Sequence, residues 1–201
     1  MGSDANRLRR KWQNYSGNNA LIAETNFFET FNEFFLNLED DYIIVSKPKN
    51  FSKVYVGFPL DNQTISEIYN PEIEITKHGV FPDYAIKNLK TEKTIFIEVK
   101  RQDGWVEGKP RSAGRGNAHE RSCKYFTPGL MSILRSEGNI SKDYLPFWTV
   151  FIGDITRDPC RVREITMWYG ENTRNFFFWR DQKDQSKLVN HFIDNIVEIL
   201  D

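Results

Sequence analysis

Pro82-Asp83 and Glu98-Val99-Lys100 stand fourteen residues apart, and together they supply two carboxylates and one ammonium. Thr94–Lys100 reads as a buried strand, and in a strand residues i and i+2 share a face. Glu98 and Lys100 are therefore predicted to point into one site while Val99 turns into the core. Asp83 opens the segment Tyr84–Leu89, which is predicted to pair with that strand as a hairpin through Lys90–Lys93. The pairing would bring the aspartate beside the other two groups. Two hard carboxylates can hold a magnesium ion, with the carbonyl of Val99 as a third oxygen. A compact ammonium beside them can steer an attacking water. The chemistry that fits is hydrolysis of a phosphodiester, with the metal countering charge on the phosphate and acidifying its water. An isolated Asp with Glu-x-Lys is also what solvated surface charge looks like, so more is needed to decide.

The second feature lies directly downstream. From Lys100 to Lys124 there are seven Lys or Arg (positions 100, 101, 109, 111, 115, 121 and 124) against three acids, Asp103, Glu107 and Glu120, in a chain whose net charge is only −1. Such a local excess of positive charge suits a polyanion, most commonly nucleic acid. Within it runs Gly114-Arg115-Gly116-Asn117-Ala118-His119-Glu120-Arg121-Ser122, a glycine-rich loop predicted to enter a helix. The Asn amide can pair in both directions with adenine, and Arg forks onto guanine. His119 either touches DNA or packs.

Taken together, Pro-Asp…Glu-x-Lys and Gly116-Asn117-Ala118-x-Glu120-Arg121-Ser122 resemble the PD-(D/E)xK nuclease superfamily, which contains most type II restriction endonucleases, and within it the EcoRI-like branch. The recognisable part covers residues 82–124. The resemblance implies an α/β restriction-endonuclease-like core, a central mixed β-sheet flanked by helices, with Asp83, Glu98 and Lys100 as catalytic residues. It implies magnesium as cofactor and double-stranded DNA as substrate and partner, leaving 5′ phosphates and 3′ hydroxyls. It further implies a palindromic site with inner AATT, CAATTG cut after the first C. Asn117, Ala118 and Arg121 would address the inner bases, with Gly116 in the same DNA-binding segment and Glu120 bridging or orienting the arginines. Arg115 is placed for the outer pair, with Arg111 as the fallback. In many relatives an acid from the first helix joins the site; Glu24 and Glu29 are the candidates. A homodimer on the palindrome is expected, as is a cognate methyltransferase in the host that need not touch this protein.

The elements that must position these groups follow from periodicity. The 201 residues suit one domain. Residues 1–19 are polar and basic, either flexible or an arm that touches phosphate. Residues 20–38 carry Leu21, Phe27, Phe28, Phe31, Phe34, Phe35 and Leu38 at helical spacing. Tyr42–Val45 and Ile73–Ile75 read as strands; residues 46–62 read as loop, with Lys53–Phe58 a stretch that could be extended. Asn117 to about Arg135 reads as helical with a break at Thr127-Pro128-Gly129, and Tyr125 or Phe126 on it serves either a subunit contact or the core. Phe147–Ile152 is an apolar core strand, Val162–Tyr169 a helix and Asn175–Trp179 a strand. A final helix carries Leu188, Val189, Phe192, Ile193, Ile196, Val197 and Leu200 on one face.

Exclusions are as useful. Two cysteines, Cys123 and Cys160, give neither a disulfide framework nor a zinc spacing. The three histidines form no His-x-x-x-His pair, and no P-loop, nucleophile elbow or dinucleotide fingerprint is present. With no signal-like or membrane-length apolar run, the expectation is a soluble, cytoplasmic protein. Two other readings compete with a restriction enzyme: a structure-specific repair nuclease of the same fold, and a non-cleaving DNA-binding module. The segment 116–122 argues against the first and the intact acidic-lysine set against the second.

Overall fold

The computed structural model describes residue 8 and residues 27–37, 41–103, 106–109 and 119–201. The expected basic arm at 1–19 falls outside these residues, apart from Leu8, which is buried in the core. A single sheet organises everything else. Its strands are β1 (Tyr42–Ser46), β2 (Tyr84–Asn88), β3 (Thr94–Arg101), β4 (Phe147–Ile152) and β5 (Phe176–Trp179), hydrogen-bonded in that order. β1, β2 and β3 run antiparallel as a meander, while β3, β4 and β5 are parallel. The expected mixed sheet is present. β4 lies between two neighbours and is buried along its whole length, as a strand covered on both faces should be.

Each face has its own cover. Ile95 and Ile97 of β3, with Trp148 and Val150 of β4, point to one side. There α1 (Phe27–Asn37) lays down Phe27, Phe31, Phe34 and Phe35, and the C-terminal helices add Leu188, Phe192 and Ile196. These helices are α5 (Gln185–His191), a π turn (Phe192–Ile196) and α6 (Val197–Leu200). Phe96, Phe147 and Phe151 point to the other side. That face is covered by α3 (Pro128–Gly138) and α4 (Pro159–Tyr169), which carry the chain across between the parallel strands. Close approach is enforced at Gly138, where an added Cβ would lie 2.3 Å from the Thr94 carbonyl oxygen.

The C-terminus locks the hairpin that positions the site. Asn88 receives Lys90 N–H at 2.9 Å on its side-chain oxygen, shaping the β2–β3 turn. Its amide donates to the Leu200 carbonyl, which also accepts from the Thr91 hydroxyl at 2.6 Å.

The strand expected at Ile73–Ile75 is absent, while the stretch 53–58 is part of the expected loop and is not extended. Residues 53–58 form successive turns closed by Val54 N–H to Phe51 O, Val56 N–H to Lys53 O and Phe58 N–H to Tyr55 O. Ile73–Ile75 pairs with nothing in the sheet, and Ile73 is 83% exposed; alternation over three residues is too short a signal to outweigh a lack of partners. α4 begins three residues earlier than expected, because Asp158 caps it by accepting from Cys160 and Arg161 N–H and Pro159 takes the first helical position. α2 (Asn62–Glu67) is a short helix in the same excursion between β1 and β2.

One half-buried histidine makes stability depend on pH. His191 stacks on Trp148 at 5.5 Å and 7°, and its Nδ1 is buried without a partner. Burial holds its pKa down to about 4, against the opposing pull of Asp194 and of the Phe176 backbone. The folded protein thus keeps the ring neutral while the unfolded chain protonates below its ordinary value of 6.5. Stability is complete above that value and is lost as pH falls toward about 4, by roughly 2–3 kcal/mol. Urea unfolding at about pH 7.5 and about pH 5 should show a steeper loss for the wild type than for His191→Phe; equal losses would assign the effect to other groups.

Candidate active site

The alternation of β3 decides the site. Ile95, Ile97 and Val99 serve the α1 side, so Phe96, Glu98 and Lys100 share the opposite face. The β2–β3 pairing sets Tyr84 opposite Ile97 and Ala85 opposite Phe96, which leaves Asp83 level with the residues that follow Ile97. Its backbone is held from the other side, where Lys47 N–H donates to the Asp83 carbonyl at 2.9 Å. Its side-chain Oδ2 accepts Val99 N–H at 2.8 Å. The three residues singled out from the sequence therefore converge: the Lys100 ammonium pairs with Glu98 Oε2 and lies 3.7 Å from Asp83 Oδ2.

The two carboxylates are not equivalent. Asp83 is 40% exposed on its side chain, whereas Glu98 is only 3% exposed. Burial pushes the Glu98 carboxyl above its ordinary value; Lys100 and the Tyr125 hydroxyl pull it back, and the neighbouring Asp83 adds to the rise. Glu98 Oε1 accepts from the Tyr125 hydroxyl and lies 3.6 Å from the Lys124 ammonium. Tyr125 is held firmly protonated by its burial and by the Glu98 charge, which keeps it a donor. Beside Glu98 in register sits Thr149, whose hydroxyl accepts from Tyr169 at 2.6 Å.

Tyr125 and Lys124 were not legible as site residues. Of the two roles open to Tyr125, a subunit contact or the core, the structure gives it the core: it is fully buried, with its hydroxyl on the Glu98 carboxylate. Phe126 packs in the core against Phe147 and Tyr169. The expected helix from Asn117 is, among the described residues, a 3₁₀ stretch (Glu120–Phe126) that ends at Thr127 before Pro128 opens α3. Glu29 lies on the exposed side of α1, and Glu24 is outside the described residues.

The donor set suits a hard divalent cation. Asp83 and Glu98 contribute carboxylate oxygens, and an ammonium already bridges them where positive charge is favoured. A residue's N–H and C=O leave a strand on the same side, so the Val99 carbonyl faces the Asp83 edge. The β2 ladder stops at Ile97 and leaves that carbonyl without a β2 partner. Among the described residues no group of three His, Cys, Asp or Glu gathers, so the candidate ligand set is these two carboxylates and the carbonyl.

Of the base-reading candidates, Arg111, Arg115, Gly116, Asn117 and Ala118 lie outside the described residues. Glu120 and Arg121 are exposed at the start of the 3₁₀ stretch. Immediately before them, His119 is fully buried and stacked on Trp168 at 5.4 Å and 8°. Burial and Arg161 depress its pKa against the pull of Glu164. His119 therefore packs, and it anchors the exit of the loop to α4.

The sequence matches, across residues 1–201, the family described as type II restriction enzyme MunI. The chain belongs to the MunI family of type II restriction enzymes. A type II restriction enzyme MunI from Mycoplasma sp is 49% identical over 204 residues, covering all of both chains. The crystal structure of MunI restriction endonuclease in complex with cognate DNA matches with a TM-score of 0.83 at 50% identity, over 94% of this chain and 97% of that one. The restriction-endonuclease resemblance drawn from the two motifs thus holds along the full chain, and the fold is that of the MunI family. No helix among the described residues is long and apolar enough to cross a membrane.

Proposed function

We propose that this chain is a magnesium-dependent, sequence-specific endonuclease of double-stranded DNA. The observation that carries the reading is the convergence of Asp83, Glu98 and Lys100 on one sheet face in a member of the MunI family. That the related MunI structure is a complex with cognate DNA supports duplex DNA as the substrate. The proposed site is CAATTG, cut after the first C to leave 5′ phosphates, as the resemblance implies.

Asp83, Glu98 and the Val99 carbonyl would hold the magnesium ion, which supplies positive charge at the phosphate and a more acidic water. The chain's own groups divide the remaining work. Lys100 is a fixed point charge, anchored by Glu98 and within reach of Asp83, that orients the attacking water and favours its loss of a proton. Asp83, on the open side of the cluster, faces the approaching phosphate. The buried Glu98 keeps Lys100 in place from behind.

Plasmid incubated with and without magnesium is expected to yield discrete fragments only with it; general degradation would indicate a structure-specific nuclease and retarded intact DNA a non-cleaving module. Asp83→Ala, Glu98→Ala and Lys100→Ala should each lower the cleavage rate by roughly a hundredfold or more and leave the protein folded. Near wild-type cutting by any of them would remove that residue from the catalytic set. A single cluster per chain cuts one strand, so we assign the active form as a two-fold dimer on the palindrome. Mixing active chains with Glu98→Ala chains should then produce nicked circles. Full-rate double-strand cutting by a complex of one chain per duplex would contradict the dimer.

Base reading is assigned to Asn117, Ala118 and Arg121 for the inner AATT, with Gly116 in the same DNA-binding segment, Glu120 orienting the arginines and Arg115 on the outer pair. A bidentate arginine–guanine contact contributes ~1–3 kcal/mol of discrimination. Arg115→Ala is expected to relax preference at the outer pair more than at the inner four, measured by cleavage across singly substituted sites. Unchanged outer-pair discrimination would move the role to Arg111.

A further inference from the structure

Glu98 divides its two oxygens between different partners. Oε2 takes Lys100, whose ammonium leads on to Asp83 at 3.7 Å. Oε1 is turned the other way, onto the hydroxyl of Tyr125. Tyr125 is fully buried, and its ring lies 5.5 Å from Phe147, itself a core residue of β4. Lys124 reaches the same oxygen at 3.6 Å, but its side chain is 39% exposed and its ammonium lies over the Tyr125 ring at 4.9 Å. The tyrosine is therefore the fixed partner and the lysine a solvated one. The last torsion of a glutamate is broad and two-fold, so a carboxylate with no fixed donor can turn.

We propose that Tyr125 is the positioning residue of Glu98: its buried hydroxyl pins one carboxylate oxygen and thereby aims the other toward Asp83. The inference rests on the reading of Asp83, Glu98 and Lys100 as the catalytic cluster. Hydrogen-bonded partners behind a metal-binding carboxylate typically change metal affinity or activity by 10–100-fold when removed. Tyr125 also sits four residues beyond Arg121 on the same 3₁₀ stretch, so the segment assigned to base reading ends on the group that aims the catalytic carboxylate.

Tyr125→Phe deletes the hydroxyl and keeps the ring. Tyr169→Phe is the matched control, since it deletes a buried hydroxyl from the same sheet face that points to Thr149 instead. Two concentrations are measured with a duplex that the wild-type chain cuts. One is the magnesium giving half-maximal cleavage; the other is the calcium giving half-maximal duplex binding when it replaces magnesium. Tyr125→Phe should raise both by about tenfold or more, with cleavage recovering at high magnesium, while Tyr169→Phe moves neither. Unmoved concentrations in Tyr125→Phe, or an equal rise in Tyr169→Phe, would overturn the proposal. Glu98→Ala run alongside separates the two levels, because wild-type behaviour there would sink the cluster reading itself. Should Tyr125→Phe fail to fold, 3-fluorotyrosine at position 125 gives a second readout. Its fluorine resonance should move on calcium addition in the otherwise wild-type protein and stay still in Glu98→Gln; no movement in either would overturn the proposal.

Discussion

A carboxylate taken almost wholly out of water must be met by donors, or its charge is too costly to keep. Glu98 is that carboxylate, and much of the molecule can be understood as the apparatus that meets it. β3 delivers it to the face where the crossover chain returns, so that Lys100, Tyr125 and Lys124 close on it from three directions. The donors do not abolish the cost, since burial still holds the carboxyl above its ordinary value. Concentrated negative charge that is only partly countered is eased by added positive charge.

The sheet and its backbone hydrogen bonds hold the Asp83, Glu98 and Lys100 cluster in place. Asp83 is fixed through its backbone by Lys47 and through its side chain by Val99. The hairpin behind it is tied to the C-terminus through Asn88, Thr91 and Leu200. On the far side of the cluster, His119 wedged against Trp168 and Asp158 accepting from Glu107 N–H at 2.7 Å hold parts of the segment after β3 against α4 and its cap. The described parts of the positively charged stretch are thus held at Glu107 and His119, and the 3₁₀ run that follows brings Tyr125 onto Glu98.

The hairpin and the triad were legible because they depend on local rules: period-two alternation, a turn, and two residues on one face. Phe147–Ile152 was legible because a strand covered on both faces has to be apolar throughout. Tyr125 was not, because no local pattern tells that a 3₁₀ stretch twenty-seven residues after Glu98 will pass beneath β3. The early start of α4 was written in Asp158-Pro159, a cap followed by a helix-opening proline. Ile73–Ile75 misled because short apolar alternation carries no information about whether a partner strand exists.

Asp83, Glu98 and the Val99 carbonyl are proposed to form one cation site on the sheet face. The most direct measurement is anomalous diffraction from crystals of the chain with a duplex it cuts, soaked in manganese, an oxygen-preferring substitute for magnesium. An anomalous peak bounded by those three groups, with the Lys100 ammonium drawn off Glu98 Oε2, is the expected result. A peak elsewhere, or none at the cluster while the crystals' DNA is cut, would contradict the account.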